Sequence, residues 1–227
     1  MPSVSDYEEA FLPFAKEGIP VICICITTKF SGSMQSALNA RSMILERLPH
    51  AEITVIDATV NTVLQGQYVL EAAALRDSGA GYRETVARLE QIKSTGRIFF
   101  TVGNMEYLKH GGRIGKVAAL AGGILDIRPV ITLKEGEIFP SGIDRGRKRT
   151  LQKVMDLLLE YLRESSLPIE CYSLAVGYGY DVKEGAAFRD HALLTLKEKG
   201  YSIDEIPVYQ IGATIGVHTG PYPLGFG

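Results

Sequence analysis

The stretch Ile22-Cys23-Ile24-Cys25-Ile26-Thr27-Thr28-Lys29-Phe30-Ser31-Gly32-Ser33-Met34-Gln35-Ser36 decides the fold class, because an apolar run passes through a Ser-Gly-Ser turn straight into a helical pattern. A strand is predicted over residues 21–27. A helix is predicted over 33–48, with Met34, Ala37, Leu38, Ile44, Leu45 and Leu48 at helical spacing, and a second strand over 52–57 follows Pro49. Strand, helix and strand in that order favour parallel strands joined by a helical crossover. The turn also carries chemistry. A helix start leaves N–H groups without intrahelical acceptors and holds the positive end of the helix dipole, so Ser31, Gly32 and Ser33 are candidates for gripping an anion. The competing reading is that Ser31 or Ser33 caps the helix.

Working outward, the chain opens on a helix in which Ser5 and Glu8 have capping-box spacing, Tyr7, Phe11, Phe14 and Ala15 form a stripe, and Gly18 is the stop. Two further helices are predicted at about 63–76 and 82–94, and a strand over 97–102. From Gly103 the texture changes: a short helix capped by Asn104, the pair Gly111-Gly112, and a run of small residues over 115–123. Next comes a hairpin, with strands 126–133 and 138–143 around a charged, glycine-containing loop at 134–137. A helix over 149–163 buries Leu151, Val154, Met155, Leu158 and Leu162, and strand 170–177, helix 185–199 and strand 207–211 follow. The glycine-dense tail 211–227 reads as a tightly turning loop. The expectation is an α/β protein of two domains, residues 1–96 around a parallel sheet and residues 97–227 around a largely antiparallel one.

The bulk numbers exclude several classes. A chain of 227 residues with 46% apolar content has the material for a real core. A formal net charge of -2 gives no broad basic face for nucleic acid. No leader pattern is present, and no apolar run approaches the ~20 residues of a membrane span, so a cytoplasmic protein without an integral membrane segment is expected. Cys23 and Cys25 are expected on opposite sides of their strand, neither pairing nor sharing a metal, and to read as buried small hydrophobes in a reducing compartment. His50, His110 and His191 show no ligand spacing with His218, so no metal is expected. There is no Walker A loop, dinucleotide fingerprint or nucleophile elbow, and no catalytic residue or cofactor is assigned.

Three segments remain as candidates. In Asn104–Lys116 a helix ends on two glycines and projects Arg113, a planar fork suited to a carboxylate or phosphate; a Schellman cap beside a solvated arginine is the plainer reading. Arg145-Gly146-Arg147-Lys148-Arg149 places cations at a helix start, where the dipole disfavours them, which raises the case for an anion or an acidic partner. His218-Thr219 offers an imidazole and a hydroxyl on an otherwise apolar tail; a structural histidine is the alternative.

Taken together, the Thr27–Gln35 turn with its Ser-Gly-Ser-x-Gln-Ser core, the Met105–Gly115 segment, Ile127-Arg128-Pro129 leading to Arg145-Gly146, and the Gly216–Gly225 tail resemble the bacterial DegV family of fatty-acid-binding proteins. The resemblance implies two α/β domains with a long-chain fatty acid held between them. It implies that Ser31, within Ser31-Gly32-Ser33, binds the carboxylate, and that His218 and Thr219 belong to the polar network behind it. Arg113 and Arg145 match arginines near the pocket mouth, Arg145 serving the head group or partner docking. It further implies a noncatalytic protein that presents the carboxylate to a separate fatty acid kinase, which forms the acyl phosphate used in phospholipid metabolism. Ile114, Ala118, Leu120, Ile124, Val130 and Ile131 are the candidate tunnel walls. Family members usually begin with an additional segment that carries two strands and a carboxylate-binding threonine. Relative to them the chain reads as lacking it, so an incomplete first sheet is expected. The alternatives are a subunit or enzyme acting on a small anionic metabolite, and a shortened remnant with impaired lipid binding.

Overall fold

The computed structural model describes residues 1–120, 127–165 and 167–227, and the chain divides into two compact units. Unit 1 holds Met1–Asn61 and Gln65–Gly96; unit 2 holds Thr62–Leu64 and Arg97–Gly227.

Unit 1 contains α1 (Val4–Lys16), β1 (Val21–Cys25), α2 (Ser33–Arg47), β2 (Ile53–Asp57), the body of α3 (Thr62–Asp77) and α4 (Tyr82–Ile92). β1 and β2 pair in parallel from Val21↔Ile53 to Cys25↔Asp57, as a helical crossover through α2 requires. Phe11 and Ala15 of α1 close over Ala37, Ala40 and Ile44 of α2, with Cys25 and Ile53 beneath them. Ala37 and Ala40 are fully buried, so the contact depends on small side chains, and a larger residue at either would force the helices apart. The α1 cap lies upstream of the expected Ser5/Glu8 box. Ser3 Oγ accepts from Asp6 N–H at 3.1 Å while Asp6 Oδ2 accepts from Ser3 N–H at 2.7 Å. Asp6 has taken the place usually filled by glutamate, which hid the box from its consensus.

Unit 2 is built on a six-stranded sheet of β3 (Ile98–Thr101), β4 (Arg128–Lys134), β5 (Glu137–Asp144), β6 (Val176–Tyr178), β7 (Val208–Gln210) and β8 (Leu224–Phe226). Its order is β5-β4-β3-β8-β6-β7; only β6 and β7 run parallel. The hairpin β4–β5 turns on Glu135 and Gly136, both with positive φ (53° and 84°), the two-residue geometry whose twist suits adjoining antiparallel strands. Two long helices, α6 (Arg147–Glu164) and α7 (Val182–Glu198), cover one face. Val154, Met155, Leu158 and Leu162 of α6 and Phe188, Ala192 and Leu196 of α7 pack onto Phe99, Val130, Val176, Leu224 and Phe226. Burying one such side chain contributes roughly 1.5–3 kcal/mol.

Two expectations fail here. The strand read over 170–177 is a short turn, Ile169–Cys171, followed by the three-residue β6. The segment read as a loop contains α8 (Ala213–Thr219), which lies beside the short helix α5 (Glu106–His110), and then β8, which sits between β3 and β6 in the middle of the sheet. Gly225 makes that position possible, since a Cβ there would lie 2.1 Å from the Phe99 carbonyl oxygen. Of the candidate tunnel walls, Val130 belongs to the helix-covered core and Ala118 is exposed, while Ile131, one residue on, is fully buried and points to the opposite face. Ile124 lies outside the described residues.

Candidate functional site

In unit 1, the chain leaves β1 through a tight turn in which Phe30 and Ser31 N–H groups donate to the Thr27 carbonyl at 3.1 and 3.3 Å. Gly32 is the residue before α2 and supplies no side-chain cap. Ser31 fills that role: its Oγ accepts from Ser33 N–H at 3.2 Å and lies 2.7 Å from Ser33 Oγ. Ser31 is partly buried, Gly32 exposed and Ser33 buried. Both readings of the turn therefore meet in one arrangement. Ser31 caps the helix, and the same two hydroxyls form a rotatable donor pair at the positive end of a 15-residue helix with no acidic residue in its first turn.

Sequence reasoning missed the groups around this turn. Asp57, at the end of β2, accepts from Thr28 N–H and Oγ1–H at 3.2 and 2.7 Å and from Thr59 N–H at 2.7 Å. Thr59 holds φ of 56°, a left-handed conformation that is costly for a β-branched residue and characteristic of loops that surround ligands. Asp57 and Thr28 are distant in sequence, so no local pattern announces them. The period-two rule, by contrast, should have found the sulfur pair. Cys23 and Cys25 lie on the same side of β1, with Sγ atoms 3.7 Å apart, because residues two apart in a strand share a face; the expectation of opposite faces is corrected.

In unit 2, α5 ends in a Schellman cap: Gly112, with φ of 66°, donates to the Lys109 carbonyl and Arg113 N–H to the Leu108 carbonyl, both at 3.1 Å. The plainer reading of Gly111-Gly112 is thus present. The cap also turns the exposed Arg113 back, so that its Nη1 donates to the Gly111 carbonyl at 2.8 Å. His218, on α8, packs against Gly111 so closely that a Cβ on Gly111 would lie 2.0 Å from its Nδ1. That Nδ1 is buried with no hydrogen-bond partner among the described residues. Burial, and secondarily the Arg113 charge, push the His218 imidazole below its ordinary pKa and favour its neutral form. Thr219 is buried and spends its hydroxyl proton on the helix, donating to the Ile215 carbonyl at 3.2 Å.

The basic run is largely neutralised within the chain. Arg147 makes a bidentate pair with Glu184 at 2.7 Å and also donates to the Tyr222 carbonyl, while Arg149 and Lys153 pair with Asp144 at 2.8 and 3.3 Å. Burial opposes ionisation of Asp144, but the Arg145 and Gly146 N–H groups, Lys153 and Arg149 together hold it at about 2. These pairings explain how cations are tolerated in the first turn of α6. Arg145 is exposed at its entrance.

The fold defines an α/β protein with a small parallel sheet and a six-stranded mixed sheet, each carrying helices. The chain belongs to the DegV family: the profile described as "uncharacterised protein, DegV family" matches residues 1–227. A DegV domain-containing protein of Clostridium perfringens is 31% identical over 226 residues, covering 99% of this chain and 76% of the relative. Among solved structures, a fatty acid (stearic acid)-binding protein from Eubacterium ventriosum is 41% identical with a TM-score of 0.91, over 100% of this chain and 75% of that one. A DegV family protein from Thermus thermophilus, described for its fatty acid binding, is 29% identical with a TM-score of 0.84, over 100% and 76%. No helix among the described residues is long and apolar enough to cross a membrane.

Proposed function

We propose that this protein binds a long-chain fatty acid and presents its carboxylate to a separate fatty acid kinase, which would phosphorylate it to the acyl phosphate. The observation that carries the reading is the 41% identity and TM-score of 0.91 to a protein described as stearic-acid-binding. The residues fit that ligand. The Ser31 and Ser33 hydroxyls can each turn from their mutual 2.7 Å contact to donate to a carboxylate, with the helix start adding positive potential. His218 offers a neutral imidazole, and Thr219 fixes the helix end that carries it. Arg113 is assigned to the head group and exposed Arg145 to the kinase. An acyl chain supplies affinity at about 0.8 kcal/mol for each buried methylene, while the polar groups supply orientation. The chain itself is assigned no catalytic step and no cofactor.

The test is mass spectrometry of an organic extract of the purified protein, beside the Ser31→Ala variant. Stoichiometric long-chain fatty acid in the native chain, reduced in the variant, is the expected result. A short polar anion in place of lipid would refute the reading. For the kinase step, Arg145→Ala is expected to retain lipid while acyl phosphate formation with a fatty acid kinase catalytic subunit falls; unchanged turnover would remove Arg145 from that role.

A further inference from the structure

β1 and β2 end side by side, with Cys25 opposite Asp57, so the loops that follow them leave the sheet together. In an open parallel sheet, ligands are held outside the carboxyl ends of the strands. Backbone bonds join the two loops: Ala58 N–H donates to the Cys25 carbonyl at 2.9 Å and Thr27 N–H to the Val60 carbonyl at 3.1 Å. The Asp57 carboxylate adds a side-chain clamp. Its Oδ2 accepts from the N–H and hydroxyl of Thr28 and its Oδ1 from Thr59 N–H, so each oxygen holds a different loop. Thr28 directly follows Thr27, whose carbonyl receives the Phe30 and Ser31 N–H groups and so fixes the backbone from which the Ser31 hydroxyl projects. On the other loop the clamp holds Thr59 in its left-handed conformation, which a β-branched residue keeps only when its surroundings enforce it.

We propose that Asp57 is a positioning residue. By clamping Thr28 to Thr59 it sets the direction of the Ser31 hydroxyl, and with it the preference for a carboxylate head group over a neutral one; this rests on the carboxylate-binding role proposed for Ser31. The charge of Asp57 works against any direct part in holding the ligand, because an anion in the turn that carries Ser31 repels a second anion brought there. Its value lies in having two acceptor oxygens. Asparagine has the same shape and no charge, but it offers one oxygen and turns an NH2 group towards donors, so it can satisfy the Thr28 pair or Thr59 N–H and not both. Charge and geometry therefore predict opposite signs for one substitution. Through charge alone, Asp57→Asn tightens fatty acid binding; through position, it weakens it.

The experiment measures dissociation constants of stearic acid and of stearyl alcohol, which has a chain of equal length and a neutral head, by competition with fluorescent cis-parinaric acid on the delipidated full chain. The native protein is expected to bind the acid at least about tenfold more tightly than the alcohol. Ser31→Ala and Asp57→Asn are each expected to lower that ratio about tenfold, and the double variant no further than Ser31→Ala alone, since the aspartate acts through the serine. Thr28→Val, which removes one exposed hydroxyl and its bond to Asp57, is expected to lower it about threefold. A loosened fold would weaken acid and alcohol alike. An unchanged ratio in Asp57→Asn, a tighter acid, or additive losses in the double variant overturns the proposal; should Asp57→Asn fail to fold, the same cycle run with Thr28→Val decides. Failure of the underlying reading has a different signature: a native protein that binds neither ligand refutes lipid binding, and one whose ratio survives Ser31→Ala refutes the role of Ser31.

Discussion

The Ser31–Ser33 turn of unit 1 and the His218 corner of unit 2 are both polar spots beside apolar cores, yet their hydrogen bonding is opposite. The two hydroxyls satisfy each other at 2.7 Å and can swing to a ligand by rotating about one bond. The imidazole is a rigid plane wedged against Gly111, with a buried nitrogen that has no partner among the described residues. Leaving such a group unpaired costs about 1–3 kcal/mol, whereas a hydroxyl pair forgoes almost nothing while it waits. A rotatable group can therefore be held ready at little cost, but a rigid one must be built in at the expense of stability.

The largest expected effect tests the rigid corner. Gly111→Ala should destabilise unit 2 by about 1–3 kcal/mol in urea unfolding, since the new methyl meets the ring at 2.0 Å. Most of that loss should vanish in a His218→Ala background. Simple additivity of the two changes would show that the close contact is not the cause. Ser31→Ala should cost only about 1 kcal/mol, one hydrogen bond to Ser33 N–H, while lipid retention falls much further. A stability loss large enough to explain the lipid loss would erase the contrast.

Protonation gives two smaller tests. Proton NMR of His218 should show titration below the ordinary 6.5, and Arg113→Ala should restore only part of the difference, because burial outranks the arginine as its cause. The sign follows from the neutral form being favoured on folding. His218's contribution is fully present above 6.5 and is lost as pH falls from there through the depressed folded value. For Asp144 the folded carboxylate is favoured, so its contribution is present above 3.8 and is lost as pH falls towards about 2. Asp144→Asn should flatten acid unfolding in that window; an unchanged acid limb would mean that its arginine and lysine partners are not held in solution. Last, Arg145→Ala should move stability by no more than about 0.5 kcal/mol, as an exposed side chain should.

Much of the fold was legible where hydrophobic period and turn chemistry agree. The β1-α2-β2 crossover, the hairpin around Glu135-Gly136 and the amphipathic α6 all follow from local pattern. β8 escaped because a three-residue strand with glycine at its centre has neither length nor β-propensity; its place is set by Phe99 and Phe100 on one side and Val176–Tyr178 on the other. α8 escaped because Gly216 and its β-branched neighbours are poor helix formers, stabilised by tertiary packing. At the candidate site, Ser31 and His218 were visible as motif residues. Gly111 was visible as a helix stop, but its contact with His218 was not, nor was Asp57, since each acts on a residue far along the chain.

The position of β8 also orders events during synthesis. The sheet of unit 2 consists of a block β5-β4-β3 and a block β6-β7, and the strand that joins them is Leu224–Phe226. While residues up to about 220 emerge from the ribosome, each block presents an unpaired edge, β3 on one side and β6 on the other. The sheet is completed as a keystone completes an arch, once Leu224–Phe226 enters between the two blocks. Until then the nascent chain is exposed to strand-pairing with its neighbours, and a shielding chaperone would have its work to do in that interval.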